Sequence, residues 1–150
     1  MTKVVNLVLY ERNLYRRYLV RWLSDAALMH GWGGQPIPEA KIDDWASDPN
    51  AVLLLVQDTE TAIIVGVIVF YDWNREQGII QRGTLIDPHY QTMGYGTAAM
   101  TQSQVFAIQE PGVKRIEVYV EGYNTVGRHL VEKLGYTLDR YESIRDRYHY

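Results

Sequence analysis

The chain of 150 residues contains no cysteine, which excludes disulfides, a thiol nucleophile and thiolate-ligated zinc. Long apolar runs are also missing. None approaches the roughly eighteen residues that cross a bilayer, and no extended hydrophobic stretch marks the N-terminal region, so the expected compartment is the cytoplasm, with no membrane partner. Nor is there an excess of positive charge: 15 Lys and Arg against 18 Asp and Glu give a net charge of -3. That balance argues against a broad nucleic-acid-binding face and favours neutral or cationic partners. The histidines at 30, 89, 129 and 149 lack metal-ligand spacing, so no metal is expected. No serine sits in a nucleophile elbow.

What the chain does have is 47% hydrophobic residues, enough for one domain with a proper core and no linker or repeat to divide it. Residues 4–9 read as a strand, followed by a helix from about Asn13, with Asn13 as its cap and Leu14, Tyr18, Leu19, Trp22 and Leu23 as its apolar side. Residues 30–38 hold too many glycines and prolines for regular structure. A short helix then runs from near Pro38 through Ile42 and Trp45. Residues 52–56 and 62–73 flank a turn over 58–61 and predict an antiparallel hairpin, with a further strand at about 77–86. The next helix carries Ala98, Thr101, Val105 and Ile108 along one stripe and stops at Pro111-Gly112. Ile116, Val118 and Val120 alternate with Glu117, Tyr119 and Glu121 in a strand over 113–121. A helix follows with Val126, Leu130 and Leu134 inward, and the tail 136–150 predicts two closing strands turned near Tyr141-Glu142.

Chemistry concentrates where the strand ending Leu85-Ile86 meets Asp87-Pro88 and the loop Gln91-Thr92-Met93-Gly94-Tyr95-Gly96-Thr97. Gly94 and Gly96 permit close approach of a ligand, and the first turn of the helix that follows offers unpaired N–H groups at the positive end of its dipole. The pattern has neither the third glycine of a dinucleotide fingerprint nor the Gly-Lys-Ser/Thr of a P-loop. It reads as a cradle for an anionic diphosphate.

A second segment, Asn124-Thr125-Val126-Gly127-Arg128-His129-Leu130-Val131-Glu132-Lys133-Leu134-Gly135-Tyr136, completes a pattern. In order and spacing, the two segments together resemble the GNAT superfamily of acyl-CoA-dependent N-acetyltransferases, and the element order extends the resemblance over essentially the full chain, 1–150. It implies an α/β (α+β) GNAT fold: a mixed, mostly antiparallel sheet of six to seven strands flanked by about four helices, with strands 77–86 and 113–121 splayed apart. It further implies acetyl-CoA as cofactor, its diphosphate held by Gln91, Thr92, Met93, Gly94, Tyr95, Gly96 and Thr97. The pantetheine arm would lie along the backbone of Leu85 and Ile86 and beside Asn124 and Gly127.

The resemblance has departures. Gly127 stands where the family usually has Ala, and Tyr136 where it has Phe. Val131 occupies the position of the tyrosine that protonates the departing thiolate in many members, and valine has no proton to give. Tyr119 and Tyr123 are the replacements to consider. For the acceptor, Trp32, Tyr71, Asp72, Trp73 and His30 form the expected wall, suited to a cationic amine through stacking and charge, with Asp25, Asp43 and Asp44 nearby. Trp22 and Trp45 belong to the core.

Three readings stay open. The first is an N-acetyltransferase for a primary amine of a small molecule or peptide, similar to the RimJ/RimL or aminoglycoside 6'-acetyltransferase branches. The second is an acyl-CoA-binding module without turnover. The third acts on aminoacyl-tRNA, with Arg12, Arg16, Arg17 and Arg21 as a phosphate track. A homodimer through the strand-rich tail is compatible with each.

Overall fold

The computed structural model describes residues 3–32, 34–142 and 147–150. A five-stranded sheet runs in the order β1 (Val5–Leu9), β2 (Val52–Asp58), β3 (Ile64–Asn74), β4 (Ile79–Ile86), β5 (Arg115–Glu117). Its pairings are antiparallel except that of β4 with β5. A second sheet has the order β6 (Tyr119–Glu121), β8 (Arg147–His149), β7 (Arg140–Glu142). The mixed α/β architecture is the one expected.

Alternating side chains give the large sheet two apolar faces. Leu53, Leu55, Val67, Val69 and Leu85 meet α1 (Arg12–Leu23), α2 (Ala26–His30) and α3 (Glu39–Ser47), whose Leu19, Trp22, Leu23, Met29, Ile42 and Trp45 complete that core. Leu54, Val56, Ile68, Phe70 and Ile80 meet Tyr95, Ala99 and Ala107 of α4 (Tyr95–Gln109) on the other face. A third cluster, Met100, Val118, Val120, Val131 and Tyr150, joins α4 and α5 (Thr125–Lys133) to the small sheet.

Several sequence expectations need correction. The predicted Asn13 cap is not used: α1 starts one residue earlier behind Glu11, with no side-chain cap. The helix α2 was not foreseen, although Asp25 signals it by accepting from the Leu28 amide. The stripe Ala98, Thr101, Val105, Ile108 does not face inward. α4 buries Tyr95, Ala99, Met100, Ser103 and Ala107 instead, leaving Val105 and Ile108 exposed. With apolar residues on every side of this helix, periodicity could not choose its buried side. Val126 is likewise exposed, and Val131, one turn further on, takes the inward place. Strand 113–121 is broken at Val118, whose N–H and C=O both bond to Tyr150. Tyr141 and Glu142 lie within β7, and residues 143–146, where the predicted turn would continue, lie outside the described residues.

That break is the feature that positions the site. The parallel pairing of β4 and β5 covers only Ile79 with Arg115, Ile80 with Ile116 and Gln81 with Glu117. Beyond that rung the chain turns away, and β6 pairs with β8. The upper half of β4 is thus left facing a gap, the splay that the resemblance implied.

Candidate active site

The alternation of β4 decides which backbone groups look into the gap. Asp87 donates its amide to Val65, so in an antiparallel ladder the odd-numbered residues, Leu85 included, bond toward β3. Thr84 and Ile86 are turned the other way. Consistently, the Thr84 carbonyl accepts from the Trp32 indole at 2.9 Å and the Ile86 carbonyl from the Gln91 side chain at 3.0 Å. Leu85 points its side chain into the core and its backbone at β3, which leaves Ile86 and Thr84 as the edge a second extended chain meets.

Above this edge lies the glycine loop. Gly94 stands at φ 95, a left-handed conformation that a side chain would strain, and Thr92 at φ 62 shares that region. Gln91, Thr92, Met93 and Gly94 are exposed. The first helical bond runs from the Ala98 amide to the Gly94 carbonyl, so the amides of Tyr95, Gly96 and Thr97 point out of the helix end. Tyr95 itself is buried, with its hydroxyl donating to the Asp58 carboxylate. This bond is the main reason the phenol is pushed up to about 12, and it holds Asp58 below its ordinary value. Only the backbone of Tyr95 therefore belongs to the loop. Lys3 was not anticipated: its side-chain stem is the nearest neighbour of Gly94 and its ammonium lies 5.2 Å from the Tyr95 ring centroid. A lone residue ahead of the first strand gave no pattern to find it by.

Asp87 fastens the loop to α1. Its carboxylate is 4% exposed and accepts from the Trp22 indole at 2.8 Å, the Arg21 guanidinium at 2.9 Å and the His89 amide at 2.8 Å. Burial opposes its charge, but these donors more than offset that and hold the group below the ordinary carboxylate range.

On the α1–α3 face of the sheet, the indole of Trp32 lies over Gly83, where an added Cβ would come within 2.7 Å of the ring. The loop that carries it is tied down at its other end: the Asn124 amide donates to the Gly31 carbonyl at 2.9 Å, and the His30 and Tyr123 rings stack at 4.4 Å. Asn124 also caps α5 by accepting from the Gly127 amide. An added Cβ at Gly127 would stand 2.7 Å from the Asn124 side-chain nitrogen, a physical reason for glycine where the family usually has alanine. Asn124 thus binds α2 to α5, and its oxygen and nitrogen are both engaged.

Tyr71, Gln81 and Glu117 follow one another across the same face through the registers Tyr71–Gln81 and Gln81–Glu117. The Tyr71 phenol is pushed up to about 12, first by burial and then by Asp72. Gln81 donates to Glu117 at 2.9 Å, and Glu117 also meets His149 at 2.9 Å and Arg115 at 2.8 Å. Burial opposes the Glu117 charge as well, yet Gln81, His149 and Arg115 together lower its pKa. Tyr119 stacks on His149 at 4.3 Å and continues the row. Sequence reading missed Glu117 and His149, because their partners lie 32 residues apart.

Trp32, Tyr71 and Tyr119 thus share a face. Asp72 and Trp73 are not brought to it. Asp72 sits at φ 49 where the β3–β4 register shifts, and the shift sends Trp73 to the α4 side, packed with that core and covered by the Arg75 guanidinium at 3.6 Å. Two of the three acidic residues expected nearby are also in use: Asp43 pairs with Arg12 and Arg16, and Asp25 caps α2. Val131 is buried against Met100, Val118 and Tyr150. His129 is exposed, as its place two residues from Val131 requires.

A splayed sheet edge beneath a glycine loop and helix N-terminus defines a protein that takes an extended, diphosphate-bearing cofactor. The acetyltransferase (GNAT) domain family matches residues 6–137, and the chain belongs to that family. Among solved structures it is similar to a spermidine N-acetyltransferase from Vibrio cholerae in complex with CoA and spermine, at TM-score 0.86 and 16% identity, over 97% of this chain and 91% of that one. It is also similar to a domain from Methanocaldococcus jannaschii DSM 2661, at TM-score 0.81 and 18% identity, over 99% and 98% of the two chains. No curated protein matches the sequence. The chain is accordingly an N-acetyltransferase whose cofactor is acetyl-CoA. Among the described residues, no helix is long and apolar enough to cross a membrane.

Proposed function

We propose that this chain acts as one GNAT domain that acetylates the primary amine of a small molecule or peptide. The observation that carries the reading is the gap between β4 and β6, with Thr84 and Ile86 on its edge and the loop 91–97 above it. The residues present fit acetyl-CoA: the backbone amides of Gly94, Tyr95, Gly96 and Thr97, with Lys3 beside them, suit a diphosphate, and the β4 edge suits an amide-bearing arm. The bound cofactor supplies an acetyl thioester.

The protein's own part is to hold an amine against that thioester and to exclude water, and positioning of this kind is worth roughly 7 to 11 kcal/mol in favourable cases. That contribution lets turnover survive with valine at 131. Trp32, Tyr71 and Tyr119 line the side from which the amine enters, His30 and Tyr123 brace the Trp32 loop, and Asn124 with Gly127 fixes the start of α5. The solved spermidine N-acetyltransferase makes alkylamines the first acceptors to try.

The reading that targets aminoacyl-tRNA loses support, because Arg12 and Arg16 are paired with Asp43, and Arg21 with Asp87. Acetyl-CoA consumption against a panel of polyamines, amino-sugars and peptides tests the proposal. Saturable turnover with one acceptor supports it. Tight cofactor binding without turnover on any of them leaves the binding module as the better reading. Sedimentation of the purified protein tests the homodimer.

A further inference from the structure

We propose that Glu117, His149 and Asp139 act as one proton-exchanging unit, in which a proton taken up by Glu117 at the apex of the gap is matched by one released from His149 toward solvent. The inference rests on the N-acetyltransferase reading.

Its basis is a line of three groups from the sheet interior to the surface. The rung Gln81–Glu117 is the last before the strands part, which puts Glu117 at the closed end of the gap. Its Oε1 lies 2.9 Å from His149 Nε2. The imidazole is 2% exposed and stacked on Tyr119, and its Nδ1 has no hydrogen-bond partner. That atom faces Oδ2 of Asp139 at 3.4 Å, and the Asp139 side chain is 41% exposed. The large majority of buried polar side-chain atoms have a hydrogen-bond partner, so an unpaired one calls for an explanation. Here one nitrogen is bonded to the inner carboxylate, and the other stands at a loose contact with the outer one. The charged and titratable groups around the unit are Arg115 at Glu117 and at Asp139, Arg140 at Asp139 and at the Tyr119 hydroxyl, and Arg147 over the Tyr119 ring, with Tyr71 beyond it. Among the described residues, no set of three such side chains could hold a metal ion.

The chemistry needs such a unit. Acetylation of an alkylammonium forms a C–N bond and breaks a C–S bond. Of the two protons that nitrogen loses, one ends on sulfur and one must reach water. With His149 protonated on both nitrogens, a proton arriving on Glu117 is balanced when Nδ1 gives its own to Asp139, which passes it to solvent. The charge of the buried pair stays constant and no proton has to cross the ring. When the products leave, Glu117 gives the amine's proton to water entering the gap and Nδ1 is recharged from the surface, so one proton per turnover reaches solvent and the unit returns to its starting state. His149 is thus a positioning residue that acts through Glu117.

The first test is independent of turnover: nitrogen NMR of histidine-labelled protein saturated with CoA, which reads the proton on each ring nitrogen and its exchange with solvent. The Nδ1 proton of His149 is expected to exchange with solvent, and Glu117→Gln and Asp139→Asn each to slow that exchange. An Nδ1 proton that does not exchange, or whose exchange is indifferent to Glu117→Gln and to Asp139→Asn, overturns the proposal. The second test is His149→Gln, which keeps a donor for Glu117 but has no group that can take up or release a proton. Its kcat is expected to fall about tenfold or more, with the pH profile displaced and calorimetric affinity for acetyl-CoA unchanged; an unaltered profile overturns the proposal. Should His149→Gln fail to fold, Asp139→Asn takes its place in the same assay. Absence of any acceptor for the parent protein bears on the enzyme reading alone, since the NMR measurement still decides the relay.

Discussion

The two sides of the gap are built differently. On the side proposed for the cofactor, β4, the loop 91–97 and α4 are contiguous in the chain, and the groups that matter are mostly backbone amides. On the side proposed for the acceptor, Trp32, Tyr71, Glu117 with Tyr119, and His149 come from four separate stretches of the chain, and the groups that matter are side chains held by one another. Local backbone chemistry is written in a short motif, whereas a side-chain wall exists only once strands have found their register.

The contrast is sharpest at the glycines. Gly94→Glu places a side chain at a left-handed φ in the middle of the loop, and calorimetry is expected to show acetyl-CoA affinity down at least about 100-fold, near 2.7 kcal/mol, with the α1–α3 side undisturbed. Parental affinity in this variant would break the assignment of the loop. The seam between the two sides comes next. Trp22→Phe removes a donor from buried Asp87 and is expected to cost about 1.5 to 3 kcal/mol in urea unfolding. Asp87 is held below its unfolded value near 3.8, so its contribution is full above that pH and fades as pH falls through the lower folded value. The difference between variant and parent should therefore be complete at neutral pH and close in acid.

Gly83→Ala tests the acceptor side alone. Its methyl group meets the Trp32 ring, so acceptor KM is expected to rise about tenfold, or ~1.4 kcal/mol, with a change in tryptophan fluorescence and acetyl-CoA affinity unaltered. Equal losses for both ligands would mean that the two sides are not separable. The smallest effect is expected from Lys3→Ala, a few-fold loss of acetyl-CoA affinity that fades at high salt, as an exposed charge beside a diphosphate should.

These differences explain what was legible in the sequence. Strand alternation, the glycine loop and the Asn124 segment made the family and the fold legible, because each rests on a residue and its near neighbours. The inward side of α4 was misread because Val105 and Ile108 are as apolar as Ala99 and Ala107. Trp73 was grouped with Tyr71 and Asp72 as neighbours at one strand end, but Asp72 interrupts the ladder and the two rings face opposite sides. Glu117 read as the polar alternate of a solvent-facing strand until β8 placed His149 against it. Its burial depends on a residue near the far end of the chain.

The irregularity at Asp72 has a consequence of its own. Because that one residue turns β3 over, Tyr71 and Trp73 serve different cores, and the final stretch of the strand is uncoupled from the acceptor wall. Two residues, Asp72 and Trp73, stand opposite Ile80 alone, so Tyr71 and Trp73 take opposite sides of the sheet although they are two apart in the chain. A single extra residue thus acts as an insulator: a change at Trp73 falls on the packing against α4, and a change at Tyr71 on the opposite wall.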